Sequence, residues 1–258
     1  MIFFCSQTDI GRRRLLNEDT VLAGDDLFVV CDGMGGCKAG DVASRVASEV
    51  IATFVKRSGE DTEITWPYGF QPGLSFDGNR LRTAIKLANR AVFRKGASSE
   101  DYTGMGTTVV AMVASRGRPL MTYANVGDSR IYLIRGSSIE QLTRDDSWAN
   151  IWDATDPDNP ARKAMKHVLT KALGAEDDVD FEVRDRELRD GDVMLLCSDG
   201  LTNMVSDERM LEIIMTCGSG LDGACGTLLA DANAAGGRDN ISAILVRYDG
   251  GDGTAGVP

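Results

Sequence analysis

Apolar positions along the chain follow two rhythms. Short runs rich in aliphatic residues recur at Ile2–Thr8, Leu27–Cys31, Thr107–Ala114, Leu120–Val126, Arg130–Arg135, Val179–Glu187, Val193–Cys197 and Ile241–Tyr248. Many are closed by Gly or Asp, the punctuation of strands and turns. Elsewhere the spacing lengthens to i, i+3, i+4. Val42, Ala43, Val46, Ala47, Val50, Ile51 and Phe54 define one buried helical face, and Leu81, Ala84, Ile85, Ala88, Ala91 and Val92 a second. Two late helices are predicted over Asp207–Thr216, with Leu211 and Ile214, and over Leu221–Ala235, with Leu228 and Leu229. Val126-Gly127-Asp128-Ser129 interrupts two strand-like runs and reads as a hairpin turn, which favours antiparallel pairing. Strands grouped with helix pairs predict an α+β layered domain.

The expected organisation is one domain over residues 1–248 and a flexible Gly-rich tail over 249–258. Two long irregular segments, Ser58–Asn79 and Thr143–Met165, stand out as functional or mobile.

Composition narrows the chemistry. With 258 residues, 43% of them hydrophobic, the chain can bury a substantial core. Asp and Glu outnumber Lys and Arg by 39 to 28, and the net charge of -11 repels nucleic acid and anionic membrane. The longest apolar stretch, Val109–Ala114, is far short of a membrane span, and the N-terminus lacks the order of a signal peptide, so a cytoplasmic protein is expected. Six cysteines form no CxxC pair, which argues against both structural zinc and a disulfide framework. The single histidine, His167, excludes any mechanism that needs two imidazoles.

The stretch Leu27–Gly40, LFVVCDGMGGCKAG, ends an apolar strand at Asp32 and enters a Gly-rich loop. It fails the GxxxxGK[ST] spacing of a phosphate loop, and its GxG start meets Lys38 where a dinucleotide fingerprint needs Gly. The same grammar recurs. Val193–Gly200 ends in Asp199-Gly200, Asp239 stands just before the last strand, Glu18 and Asp19 precede Thr20–Ala23, and Asp128 sits in the turn. Each acid alone reads as a turn former or a solvated group. Their recurrence beside glycines suggests convergence, and convergent carboxylates without His or CxxC partners select hard cations, Mg²⁺ or Mn²⁺. Asp156-Pro157-Asp158-Asn159 lacks the Gly and the distal Glu of a calcium loop and reads as a solvated loop.

Taken in order, the motifs resemble those of the metal-dependent serine/threonine protein phosphatases of type 2C in their compact bacterial form. They are Asp9-Ile10-Gly11 through Arg14, Asn17-Glu18-Asp19, Asp32-Gly33-Met34-Gly35-Gly36, Gly104–Thr108, Gly127-Asp128-Ser129-Arg130, Leu169–Gly174, Ser198-Asp199-Gly200 and Gly237–Ser242. They span the chain from about Ile2 to Tyr248. The resemblance implies a four-layer α-β-β-α sandwich, two antiparallel sheets flanked by helix pairs, with a two-metal centre at one end. It implies that Asp32 bridges two Mn²⁺ or Mg²⁺ ions. Glu18 and the Gly33 carbonyl would complete one site, and Asp199 and Asp239 the other. A third, weaker ion would fall to Asp128 with Asp199, and Asp19 would orient water behind the ligands.

The activity so implied is hydrolysis of phosphoserine and phosphothreonine in proteins, by attack of a water activated between the ions and without a covalent intermediate. Arg14, four residues before Glu18, matches the phosphate-clamping arginine, while Arg12 and Arg13 read as solvated or steering groups. Many eukaryotic members carry His where this chain has Met34, which cannot donate a proton; water held by the ions becomes the expected donor, with His167 disfavoured. The segment at about 143–168 corresponds to a flap beside the centre, where Trp148 and Trp152 either dock a partner or pack the flap down. The expected partners are phosphorylated proteins and a cognate Ser/Thr kinase, with no nucleic acid and no membrane, and the chain is expected to be a monomer. The competing reading is a catalytically silent or partner-dedicated module on the same fold.

Overall fold

The computed structural model describes all residues except 25, 36–38, 62, 149–164, 166–167, 218–219 and 251–258. Its elements, in chain order, are β1 (Ile2–Asp9), β2 (Asp19–Gly24), β3 (Leu27–Met34), α1 (Gly40–Glu60), α2 (Phe76–Gly96), β4 (Gly106–Thr107), β5 (Val109–Ala114), β6 (Leu120–Val126), β7 (Arg130–Arg135), β8 (Ser138–Gln141), β9 (Val183–Glu187), β10 (Val193–Cys197), the single turn α3 (Asp199–Thr202), α4 (Asp207–Thr216), α5 (Leu221–Ala234) and β11 (Ile241–Tyr248). One sheet runs β1-β11-β10-β7-β8; the other runs β2-β3-β5-β6-β9, with β4 added to β3. The pairings within both are antiparallel.

Strand periodicity explains how these sheets stack, because neighbouring side chains point to opposite faces. On β3, Val29 and Cys31 join the core under α1 and α2, whereas Phe28 and Val30 join the core between the sheets. On β10, Met194 and Leu196 enter that same central core, and Leu195 and Cys197 pack under α4 and α5. Three cores thus separate four layers, α-β-β-α, as the resemblance implied. Burial on both faces also explains why the strands read as continuous apolar runs rather than alternating ones. Helix α1 buries Ala43, Ala47, Ile51 and Val55 at four-residue spacing, and α2 starts where the Ser75 hydroxyl accepts a hydrogen bond from the Gly78 amide at 2.9 Å.

Four local expectations are corrected. Val126–Ser129 is not a hairpin: β6 belongs to one sheet and β7 to the other, so residues 127–129 carry the chain across the sandwich. A Gly-Asp signal fixes a change of direction but not its plane. The run Thr107–Ala114 divides into β4 and β5, and Val179–Glu187 shortens to β9 at Val183–Glu187. Cys5 and Cys225 are disulfide-linked, tying β1 to α5 across 220 residues of sequence, a pairing that only the fold brings within reach. Of the flap, Trp152, Asp153–Pro160 and His167 lie outside the described residues, as does most of the tail. Trp148 is described and 44% exposed.

Candidate metal centre

The acidic residues are delivered to one end of the sandwich by strand ends. Asp32 follows five buried residues of β3, and the antiparallel register sets it opposite Asp19 of β2. The glycines after the acids allow close packing. A Cβ on Gly33 would lie 2.1 Å from the Gly40 carbonyl oxygen, and one on Gly200 would lie 1.9 Å from that of Asn240. Only glycine lets β3 meet the start of α1, and α3 meet the residue before β11, closely enough to gather Asp32, Asp199 and Asp239.

These three acids, with Glu18, Asp128, Gly33 and Arg14, line one cleft of about 840 Å³. Asp19 lies behind it and is buried; its Oδ2 accepts hydrogen bonds from Ser198 Oγ at 2.8 Å and Ser242 Oγ at 2.6 Å, while its Oδ1 has no partner. Burial raises its pKa to about 6 even against both hydroxyls. Asp32 is pushed well above the ordinary carboxylate range by burial and by Asp19, Asp199, Asp239 and Asp128, all of the same sign. Asp128 rises to about 7, through burial first and then through Asp199 and Asp145. Glu18 is also raised, mainly by burial, and its Oε1 accepts from the Gly40 amide at 3.2 Å at the start of α1.

The second half of the site is a set of positioning hydrogen bonds. Asn240 Oδ1 accepts from the Glu18 amide at 2.8 Å, and its Nδ2 donates to the carbonyls of Ile10 and Leu16, both at 2.9 Å. One side chain therefore shapes the loop that carries Arg14 and Glu18. Asn203 Nδ2 donates to Asp199 Oδ2 at 3.0 Å, and Thr108 Oγ1 accepts from the Asp32 amide at 3.1 Å while sharing a 2.7 Å hydrogen bond with Ser129. Sequence reasoning assigned no role to Asn203, Asn240, Ser198, Ser242 or Thr108. Four of these lie inside the quoted motifs, where the signal was visible; Asn203 carries none.

Arg14 Nη2 donates to Asp239 Oδ2 at 2.7 Å, so in this arrangement the guanidinium engages a carboxylate of the cleft, with roughly half of its side chain exposed. Arg238 and Met34 also line the cleft.

The residues fit divalent cations. Every donor is oxygen, the acids raise one another's pKa, and a buried Asp19 oxygen is unsatisfied. Among the described residues, no three carboxylate, thiol or imidazole side chains close into a metal cluster. The acids stand around the cleft.

The profile of Protein phosphatase 2C matches residues 11–221. The chain belongs to this family. It is 35% identical to the serine/threonine phosphatase Stp of Listeria monocytogenes, with 94% of each chain covered. The Mycobacterium tuberculosis serine/threonine phosphatase PstP superposes with a TM-score of 0.81 at 29% identity, covering 96% of this chain and 99% of that one. The PstP catalytic domain in complex with two manganese ions gives 0.81 at 31% identity, covering 96% and 98%.

Proposed function

We propose that the acid-lined cleft is the reaction centre of this chain, a metal-dependent serine/threonine protein phosphatase. The observation that carries this reading is Asp32, a half-buried carboxyl at the cleft that shares its field with Asp19, Asp128, Asp199 and Asp239. Such a gathering is costly unless cations neutralise it. Two Mn²⁺ or Mg²⁺ ions would be held by Asp32, Glu18, the Gly33 carbonyl, Asp199 and Asp239, and a weaker third by Asp128 with Asp199. Ions bound there would acidify water and offset the negative charge of a phosphate group.

The chain's own residues do the rest. Ser198 and Ser242 fix one oxygen of Asp19 and leave the other to orient water. Asn240 holds the β1–β2 loop, and Arg14, anchored on Asp239, keeps further N–H donors for phosphate oxygens. The substrates are proteins bearing phosphoserine or phosphothreonine. A cognate kinase, a monomeric state and a cytoplasmic setting complete the proposal. No helix among the described residues is long and apolar enough to cross a membrane.

Phosphate release from a phosphothreonine peptide tests it. Activity should require Mn²⁺ or Mg²⁺ and vanish with chelator; absence of activity with either ion across about pH 6 to 9, where ion-bound water ionises, would overturn it.

A further inference from the structure

Beside the metal cleft lies a second depression, a groove of about 570 Å³ between the end of α2, the Glu100–Tyr102 turn and residues 172–175. Met34 belongs to both walls, lining the cleft on one side and the groove on the other. The reason is topological. Met34 ends β3 and pairs with Gly106 of β4, where a Cβ would stand 3.6 Å from the Met34 side chain. The short β3–β4 ladder is therefore the partition between cleft and groove.

The two sides differ in charge. On the cleft side, Arg14 and Arg238 line the opening, and Arg12 and Arg13 are exposed next to it in sequence. In the groove, Glu100 is the one charged residue among the described lining, and the half-buried Phe93 and the exposed Ala97 and Ala175 are apolar. A peptide whose phosphate sits in the cleft and whose chain runs past Met34 meets the groove next.

We infer that the Met34 groove is a substrate-selecting site, which accepts an aliphatic side chain of the phosphoprotein a few residues to one side of the phosphorylated Ser or Thr and disfavours an acidic one there. The inference rests on the placement of the reaction centre given above. An aliphatic chain gains by leaving water against Phe93, Ala97 and Ala175, whereas a carboxylate loses hydration and faces Glu100.

The test uses Mn²⁺-loaded protein, p-nitrophenyl phosphate, and phosphothreonine peptides that differ only by Leu or Glu at single positions on either side of the phosphorylated residue. The wild type should prefer Leu to Glu by about tenfold in kcat/KM, the scale of one partly buried aliphatic side chain, and on one side only. Ala97→Lys and Ala175→Lys place a cation at exposed positions of the rim and leave the carboxylate cleft untouched. Each should collapse that preference several-fold, largely through KM, with hydrolysis of p-nitrophenyl phosphate unchanged. A wild type indifferent to Leu or Glu on both sides, or variants with unaltered peptide ranking and normal p-nitrophenyl phosphate hydrolysis, would overturn the groove alone. Wild-type protein that hydrolyses neither p-nitrophenyl phosphate nor any peptide would overturn the phosphatase centre and the groove with it.

Discussion

Strand β10 carries an acid at each end, and the two ends are treated oppositely. Before its first residue, Asp192 is 1% exposed and held by Arg135, whose Nε and Nη2 donate at 2.8 and 2.6 Å, with the Arg189 amide adding a third bond at 2.7 Å. Two residues past its last comes Asp199, gathered with Asp32, Asp128 and Asp239 into a cleft where acids raise one another's pKa. One end brings its own cation in the chain. The other assembles negative charge that a cation from solution can neutralise. A buried carboxylate with a bidentate arginine fastens the fold, and a set of like-charged carboxylates gathered around one cleft, with Arg14 on Asp239, is equipped to bind.

The sharpest break of this comparison is substitution at each end. Asp32→Ala should reduce phosphate release on the order of a thousandfold, because several kcal/mol of transition-state stabilisation depend on the ions, while the metal-free protein unfolds no earlier than wild type. Asp192→Ala should do the reverse. Removing one partner of the buried pair costs about 2 to 4 kcal/mol, the lower side of the usual range because Arg135 is partly exposed. Chemical denaturation should show the loss, with kcat at 20 °C, roughly room temperature, close to wild type. If both variants lose stability and activity together, the two ends are not distinct.

A subtler effect concerns Asp19, which touches two hydroxyls and no cation. Asp19→Asn should lower kcat by about 10 to 100-fold, typical of groups that orient ligands, with the thermal transition of the metal-free protein kept or raised. Unchanged kcat would remove Asp19 from the site.

The acidic end also sets a pH dependence. Asp19 and Asp128 are raised from 3.8 to about 6 and about 7, so the folded, metal-free protein binds more protons than the unfolded chain in that interval. Stability from these groups is full below the unfolded value and is lost as pH rises through the folded values. Melting of chelator-treated protein should therefore fall from about pH 4 to pH 7, and Mn²⁺ should flatten the slope by replacing protons as the neutralising charge. A metal-free protein that gains stability over this range would contradict the electrostatic account. The smallest change belongs to neither end: Ser75→Ala removes the α2 cap and should cost about 1 kcal/mol without altering metal response.

Much of this was legible in the sequence, and the reasons are specific. The apolar runs of β3, β10 and β11 announced strands because burial on both faces leaves no polar alternation to confuse them. Asp32, Asp199 and Asp239 announced themselves by standing where such runs stop, beside glycines whose need became clear only from the backbone approach at Gly33 and Gly200. The crossing at Gly127 was misread because a turn signal is local, while membership of one sheet or the other is decided by packing far along the chain. The Cys5–Cys225 link and the Arg14–Asp239 pair escaped for the same reason: each joins residues more than 200 positions apart. The groove behind Met34 had no sequence signature, since small and apolar residues from three separate segments define it only by what they leave open.

The most direct measurement is an anomalous difference map from a crystal soaked in Mn²⁺. Two strong peaks should appear in the cleft, coordinated by Asp32, Glu18, Asp199 and Asp239, with none beside the Asp192–Arg135 pair. Manganese bound elsewhere on the protein, with the cleft free of it, would contradict the account.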